Sequence, residues 1–298
     1  MSGRAAPGYG GPMTTRPADD PGPTREIDAG TMHRLLLHEA RVHAIPGRTL
    51  RDLGDAILLH DPTDSELFWN RLEGLRWPVE SGAFDRRLTE MLVLFASLGR
   101  RPHVWASPLH DAPADLAARF IASGFRDMGA GGVMVLVDPA PAEGVVGGST
   151  SDGVTVERLA DLSGAAAEPA AGAIVEVLLD AFEVDAERQA GIEAETAASL
   201  RHPWFTHYLV RQDGRPAAVA RRATFDGLSY LSSIGTAGWA RGRGLGSLVT
   251  RLASADGLAA ASDHVYLGVF AENTGAISVY ERSGFERLGR WCPDLVLI

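Results

Sequence analysis

The chain has 298 residues, a formal net charge of −10 and a pI near 5.4. Hydrophobic residues make up 45% of it and charged residues 22%, a globular balance with enough apolar material for two domains. The negative charge argues against a general nucleic-acid or anionic-membrane partner, because both would be repelled on average. The single cysteine, Cys292, excludes an intramolecular disulfide, and no apolar run reaches the ~20 residues that a transmembrane helix needs. We therefore expect a cytoplasmic protein that binds neither a membrane nor nucleic acid.

Composition divides the chain into four segments. Residues 1–26 hold many Gly and Pro residues and few apolar side chains, which predicts a disordered tail. A stretch rich in Pro, Gly and Ser at residues 141–152 indicates a linker. The two candidate domains are residues 27–140 and residues 153–298. We expect the first of them to end with a strand at residues 133–137.

The two candidate domains share a short pattern that repeats after 160 residues. Ser-Gly-Phe at residues 123–125 recurs at residues 283–285, and each copy closes an amphipathic helix. Gly129 and Gly289 follow at the same offset. We interpret the first domain as a degenerate copy of the second.

The hydrophobic pattern of the second domain predicts a succession of strands and helices. Two turn signals, Asp213-Gly214 and Asp226-Gly227, separate three consecutive strands, which is typical of antiparallel neighbours. Strands are predicted at residues 154–158, 206–212, 216–224, 228–235 and 264–271, and helices at residues 171–182, at residues 190–200 and from residue 245. We therefore expect an α/β (α+β) fold in which a mixed, mainly antiparallel sheet carries helices on its faces.

A glycine-rich turn lies between the strand 228–235 and the helix that follows it. Its three glycines permit positive φ angles and let a ligand approach the backbone, so that successive N–H groups can point at one anion. The N-terminus of the helix adds the positive end of its dipole, and two arginines add mobile positive charge. The turn therefore predicts a phosphate site. The candidate binding residues are Arg241, Gly242, Arg243, Gly244, Leu245, Gly246 and Ser247.

Three kinds of phosphate-binding loop compete for this turn. A P-loop requires Gly-Lys-Ser/Thr, and the chain contains no lysine. A dinucleotide fingerprint would have Ser247 in place of its third glycine, and its acidic residue would be Glu272. Only 26 residues follow Glu272, which is too few for the further β-α units of that fold. The third kind is the pyrophosphate turn of acyl-CoA-dependent transferases.

The turn and a second segment downstream resemble the GNAT superfamily, the acyl-CoA-dependent N-acetyltransferases. Residues 241–246 are similar to the family's R-x-x-G-x-G signature, and residues 273–285 are similar to its N-x-x-A-[IV]-x-x-Y-E-x-x-G-F segment. Both motifs occur in the family's order and spacing. The resemblance implies tandem GNAT-like domains, in a layout similar to that of mycothiol synthase, with the active site in the second domain.

The resemblance also implies roles for individual residues. Acetyl-CoA is the expected cosubstrate, with its pantetheine arm bonded to main-chain groups of Ile234, Gly235 and Thr236. Asn273 is carried over as a further cofactor contact. Tyr280 is the expected catalytic acid, which supplies a proton to the leaving thiolate. At the 160-residue offset Tyr280 is matched by Phe120 and Asn273 by Pro113, so the first domain lacks both groups.

The general base and the acceptor stay open. The strand 228–235 contains no carboxylate, whereas several family members have a glutamate there. The candidate bases are Tyr230, His207, Glu183 and Glu195. The expected function is transfer of an acetyl group from acetyl-CoA to an amine of a small molecule or peptide, and the alternative is a non-catalytic acyl-CoA-binding module. No metal site is expected, because His33, His38 and His43 are spaced five apart and do not share a helix face.

Overall fold

The computed structural model of the chain describes residues 24–45, 47–107, 109–143, 153–182, 184 and 188–298. These residues form two compact units. The first unit contains the described residues of 24–132 together with 270–272 and 287–298, and the second contains those of 133–269 together with 273–286. Most of the predicted tail, 1–26, and of the predicted linker, 141–152, lies outside the described residues. The continuous domains expected at 27–140 and 153–298 stay predictions.

Helices and short strands alternate along the described chain. The first elements are β1 (Thr24–Arg25), α1 (Ala29–Ala44), β2 (Thr49–Asp52), β3 (Ile57–His60), β4 (Arg71–Glu73), α2 (Ser81–Ser97), β5 (His103–Trp105), α3 (Leu116–Ala122) and β6 (Phe125–Leu136). They are followed by β7 (Val154–Leu159), α4 (Ala167–Phe182), α5 (Gln189–Leu200), β8 (Phe205–Gln212), β9 (Arg215–Phe225), β10 (Leu228–Thr236), α6 (Leu245–Ala259), β11 (His264–Phe270), α7 (Thr274–Arg282), β12 (Phe285–Leu288) and β13 (Cys292–Leu297).

The sheet of the first unit has the strand order β2-β3-β4-β5-β13-β6 in the described residues. Strands β4 and β5 are parallel, and β13 is antiparallel to both β5 and β6. Strand β6 begins at Phe125, eight residues before the strand predicted at 133–137. The predicted strand therefore corresponds to the last part of β6 and lacks its first eight residues. Side chains at Gly131 and Gly132 would lie 2.3 Å and 2.8 Å from the rings of Trp105 and Trp291, so these glycines make room for aromatic rings on the strand.

The sheet of the second unit has the strand order β11-β10-β9-β8-β7. Strands β10 and β11 are parallel, and the other neighbours are antiparallel. The observed strands and helices agree with the predicted ones to within a few residues. The mixed, mainly antiparallel sheet expected from the sequence is therefore confirmed.

Helices cover both faces of this second sheet. One face packs against α4 and α5, in a core that includes Ile174, Leu178, Leu209 and Val219. Neighbouring residues of a strand point to opposite faces. Tyr208 accordingly points away from this core and donates a hydrogen bond to Asp256 of α6 at 2.8 Å. Helix α6 covers the second face with a stripe of buried residues, namely Leu245, Val249, Leu252 and Ala253.

The predicted internal repeat is visible in local geometry. Both units contain the succession strand, helix, parallel strand, helix, as β4-α2-β5-α3 and as β10-α6-β11-α7. The glycine after the last helix has a left-handed φ in each copy, +95° at Gly124 and +91° at Gly284. The aromatic residue before it packs on the phenylalanine after it in each copy. Ring centroids are 4.9 Å apart for Phe120 and Phe125 and 6.3 Å apart for Tyr280 and Phe285.

Candidate active site

Strand β10 carries a bulge near its end. Ser232 lies opposite Arg221 of β9, but Gly235 lies opposite Val219, so β10 contains one extra residue between these pairs. Ser233, inside this interval, has a φ of +51°, which is an uncommon conformation for a residue other than glycine. A bulge leaves the extra residue out of the ladder, and its N–H group is then available to a ligand.

Strands β10 and β11 separate at the same place. Their parallel pairs begin at Leu228 with His264 and end at Leu231 with Leu267. In the described chain β10 continues to Thr236 and β11 continues to Phe270 beyond the last pair. The bulge and the end of β10 therefore line a gap between two diverging strands.

The three main-chain positions predicted to contact pantetheine lie along this gap. Ile234 and Thr236 are half-buried, and Gly235 is buried. A Cβ atom at Gly235 would lie 3.0 Å from Cβ of Ala181, so glycine allows α4 to pack directly against the strand. The hydroxyl oxygen of Thr236 lies 3.1 Å from the Cβ position of Gly246, which brings the start of α6 against the end of β10.

The glycine-rich turn opens to solvent at the N-terminus of α6. Gly242 and Gly244 have φ angles of +77° and +76°, both are exposed, and no atom lies within 4 Å of a Cβ built on either one. Gly244 is the N-cap of α6, and no side chain caps this helix start in the described structure. The N–H groups of Leu245, Gly246 and Ser247 have no acceptor inside the helix. The turn thus offers a row of donors and the positive end of a helix dipole to an anion.

The two predicted arginines of the turn differ in their contacts. Arg241 donates from Nε to the carbonyl oxygen of Thr236 at 3.4 Å and from Nη2 to that of Ala181 at 3.3 Å. It therefore joins the end of α4 to the turn, where its charge also faces the negative end of the α4 dipole. Arg243 is exposed, and its guanidinium carbon lies 5.9 Å from the centre of the Trp239 ring.

Sequence analysis missed one residue that shapes the same turn. Asp180 on α4 accepts a hydrogen bond from the backbone N–H of Gly238, just before the turn. Together with Arg241, this carboxylate attaches the end of α4 to the turn. An acidic residue in an amphipathic helix gives no sequence signal for such a contact, because an exposed acid is the ordinary expectation there.

Asn273 and Tyr280 lie on the helix after β11. Asn273 is exposed and caps α7, because its Oδ1 accepts a hydrogen bond from Ala276 N at 3.1 Å. Its amide nitrogen is the part of the side chain that this cap does not use. Tyr280 is 7% exposed, and burial raises the pKa of its phenol to about 12. The phenol is therefore protonated at neutral pH and can act as a hydrogen-bond donor.

The candidate bases have different surroundings. Burial, reinforced by the charge of Arg221, lowers the pKa of His207 to about 3. Its Nε2 lies 2.8 Å from Ser199 Oγ, which donates its own proton to the Thr196 carbonyl. His207 is therefore a neutral, structural imidazole and a poor base. Tyr230 is buried, with its ring centroid 5.1 Å from that of Tyr266.

The remaining candidates are two glutamates. Glu195 on α5 has a side chain that is 20% exposed, and its Oε1 lies 3.6 Å from Nη1 of Arg221. Glu183 lies outside the described residues. Arg221 itself was not predicted, although a charged residue directly after the apolar run 217–220 of a strand could have indicated a buried, paired cation.

In the first unit, carboxylates occupy the positions that correspond to the start of α6 and to the ends of β10 and β11. Glu80 caps α2, accepting from the N–H groups of Gly82 at 2.9 Å and Ala83 at 2.6 Å, and these bonds lower the pKa of Glu80. Asp111 joins the segments after β4 and β5, accepting from Leu75 N at 2.9 Å and Ser107 N at 2.7 Å. The helix start and the diverging strand ends, open in the second unit, are therefore occupied in the first.

Three further features bear on the predicted chemistry. Cys292 is buried in β13, and burial raises the pKa of its thiol to about 12, so it is an unreactive packing residue. In the described ranges, no three His, Cys, Asp or Glu side chains are grouped to hold a metal ion. No helix among the described residues combines the length and the apolar character needed to cross a bilayer.

Comparisons with known proteins agree with this geometry. The family model of the acetyltransferase (GNAT) family matches residues 172–285. The chain is similar in structure to a GCN5-related N-acetyltransferase from Kribbella flavida, with 22% identity, coverage of 90% of this chain and 95% of that one, and a TM-score of 0.63. It is also similar to a tandem GNAT protein from the clavulanic acid biosynthesis pathway, with 17% identity, coverage of 90% and 94%, and a TM-score of 0.56.

A third similar structure is a GCN5-related N-acetyltransferase from Sphaerobacter thermophilus. Its identity is 16%, coverage is 86% of this chain and 84% of that one, and the TM-score is 0.55. No curated protein sequence matches the chain significantly. Likeness at these identities establishes the fold, and the chemistry has to be argued from the residues of the site.

Proposed function

We propose that this protein, in which residues 172–285 form a domain of the GNAT acetyltransferase family, transfers an acetyl group from acetyl-CoA to an amine. The observation that carries the proposal is the uncapped start of α6 beside the gap between β10 and β11. The proposed acceptor is an amine of a small molecule or a peptide, and the proposed location is the cytoplasm.

The residues of the second unit fit the parts of acetyl-CoA. The pyrophosphate would accept hydrogen bonds from the N–H groups of residues 244–247, where the left-handed glycines leave open space. Arg243, which is exposed beside the turn, adds positive charge. The pantetheine arm would lie in the gap along residues 234–236, and the amide nitrogen of Asn273 is available as a further contact. The thioester would then lie next to the bulge.

The proposed reaction uses the bulge and Tyr280. Attack of the amine nitrogen on the thioester carbon places negative charge on the carbonyl oxygen, which an N–H group of the bulge would stabilise. The C–S bond then breaks and a thiolate leaves. A phenol with a pKa of about 12 is a weaker acid than a thiol, whose ordinary pKa is ~8.5. Tyr280 therefore acts chiefly by donating a hydrogen bond to the leaving sulfur.

This function can be tested by measuring the release of free CoA thiol from acetyl-CoA in the presence of a panel of alkylamines and arylamines. A chromogenic disulfide detects the thiol. We expect the wild type to release thiol with at least one amine, and Tyr280→Phe to lower kcat by about 10²-fold while the Kd for CoA changes little. The variant should fold, because Phe120 already occupies the matching position of the first unit.

A non-catalytic acyl-CoA-binding module is the second candidate, favoured by the absence of a carboxylate on β10. It predicts tight binding of acetyl-CoA in calorimetry without thiol release for any amine. Turnover that Tyr280→Phe leaves unchanged would contradict the role given to the phenol.

A further inference from the structure

A buried arginine lies on the face of the second sheet that α4 and α5 cover. Arg221 of β9 is 5% exposed. Its Nε donates a hydrogen bond to Ser232 Oγ of β10 at 3.0 Å, and its Nη1 lies 3.6 Å from Oε1 of Glu195 on α5. Burial of a guanidinium is strongly unfavourable unless opposite charge and hydrogen-bond acceptors surround it. These contacts supply both. Arg221, Ser232 and Glu195 thus form a cluster that links α5 to the sheet through charge.

The cluster ends at the bulge. Ser232 is the last residue of β10 that is paired in register before the shift, and Arg221 is its partner across the ladder. Gly235, the first paired residue after the shift, contacts α4 through Ala181. The bulge and the cluster therefore face the same helical layer. If a thioester carbonyl is held at the bulge, an acceptor that approaches it from the side of this helical layer contacts the cluster.

Glu195 is the member of the cluster suited to proton transfer. Its side chain is 20% exposed, so the carboxylate can exchange protons with water. His207, on the neighbouring strand, is 3% exposed and hydrogen-bonded to Ser199. Nη1 of Arg221 lies 3.6 Å from Oε1 of Glu195, so the guanidinium holds the carboxylate in position over the sheet. Arg221 thus serves as a positioning residue for Glu195.

We propose that Glu195 is the general base that activates the acceptor and that the acceptor is an amine arriving in its protonated, cationic form. The inference rests on the proposed acetyl transfer. The ammonium group gives a proton to the Glu195 carboxylate, directly or through one water molecule. The neutral nitrogen then forms the N–C bond as the C–S bond breaks, and the second proton lost by the nitrogen passes to solvent.

The ion pair with Arg221 fixes the position of the carboxylate that receives the proton. Oε1 of Glu195 lies 3.6 Å from Nη1 of Arg221, whose Nε donates a hydrogen bond to Ser232 beside the bulge. The pair therefore performs the task that a glutamate on β10 would perform, with the carboxylate supplied by α5.

The test compares Glu195→Gln with Glu193→Gln at saturating acetyl-CoA. Glu193 lies on the same helix, is half-buried like Glu195 and accepts a hydrogen bond from Gln189, so it controls for loss of one α5 carboxylate. The acceptor probes are benzylamine, an alkylamine that is protonated at neutral pH, and aniline, an arylamine that is neutral there. We expect Glu195→Gln to lower kcat about 10²-fold with benzylamine and less than ~5-fold with aniline. Glu193→Gln should retain wild-type rates.

Cofactor affinity separates a chemical role from a structural one. The Kd of Glu195→Gln for CoA, measured by calorimetry, should stay within about twofold of the wild type. Equal losses with both amines, no loss with either, or a parallel loss of CoA affinity would each overturn the assignment of Glu195. In any of these cases the acetyl transfer itself stands, provided that the wild type releases thiol. Absence of thiol release by the wild type with every amine would refute the proposed function and this inference with it.

Discussion

Replacement of Gly244 by aspartate is the sharpest perturbation of the proposed phosphate site. The residue has a φ of +76°, and a Cβ atom placed on it meets no other atom within 4 Å. A left-handed conformation costs a residue other than glycine roughly 1–2 kcal/mol. A carboxylate in place of glycine at the N-cap of α6 would return only a few tenths of a kcal/mol by accepting from N–H groups of the first turn. The free energy of unfolding should therefore fall by only about 1 kcal/mol.

The effect on acetyl-CoA should be much larger. The new carboxylate would lie where the pyrophosphate is proposed to bind. Two unit negative charges about 5 Å apart repel each other by about 3 kcal/mol at an effective dielectric constant of 20. That free energy corresponds to a Kd for CoA about 10²-fold weaker than that of the wild type. In the first unit a carboxylate already caps the corresponding helix, since Glu80 accepts from two N–H groups of α2.

Gly214→Asp is the matched control for this experiment. Gly214 lies in the turn between β8 and β9, has a φ of +81° and also has no atom within 4 Å of its Cβ position. The control therefore introduces the same charge and a similar backbone strain outside the residues proposed to bind the pyrophosphate. Calorimetric titration with CoA measures both variants. A Kd for Gly244→Asp within about threefold of the wild type, or an equal loss in Gly214→Asp, would refute the reasoning.

The remaining predictions concern stoichiometry and pH. We expect one CoA to bind per chain, because Glu80 and Asp111 fill the corresponding positions of the first unit; a calorimetric stoichiometry of two would contradict this. The folded pKa of His207, about 3, lies below the ordinary ~6.5, so the unfolded chain binds a proton that the folded chain does not. Stability from this group is present above pH 6.5 and falls by up to ~1.4 kcal/mol per pH unit below it. Urea unfolding at pH 7 and pH 5 should show a smaller decrease for His207→Gln, and an unchanged decrease would rule out His207 as its source.

Sequence motifs located the glycine-rich turn because the turn is a local structure. Left-handed backbone at Gly242 and Gly244 is required within six residues of chain, and glycine is the residue that adopts it without strain. The strands of the second unit were predictable for a similar reason, since their turns at Asp213-Gly214 and Asp226-Gly227 are also local. Periodicity and turn chemistry therefore gave the order of elements and one wall of the site.

Contacts between distant segments could not be predicted in the same way. Strand β13 pairs with β5, and Leu295 lies opposite Val104, almost two hundred residues earlier in the chain. The pairing of Arg221 with Glu195 depends on the position of α5 over the sheet, which no spacing rule specifies. The glycine-rich strand β6 was partly missed because the rings that need its glycines come from Trp105 and Trp291, both outside the strand.

The two copies of the repeat differ in which group accepts hydrogen bonds from the first N–H groups of the helix, α2 in the first copy and α6 in the second. In α2 the carboxylate of Glu80 accepts from two N–H groups, and the helix is complete without a ligand. In α6 the N-cap is Gly244, which is exposed, and no side chain caps the helix start in the described structure. A helix start that a side chain caps is more stable than one with glycine at the N-cap by roughly a few tenths of a kcal/mol, so the second copy lacks stability that the first one has. A lower stability of this kind is typical of binding sites, where the ligand supplies the missing hydrogen-bond acceptors. The difference thus favours α6 over α2 as the helix proposed to bind the pyrophosphate.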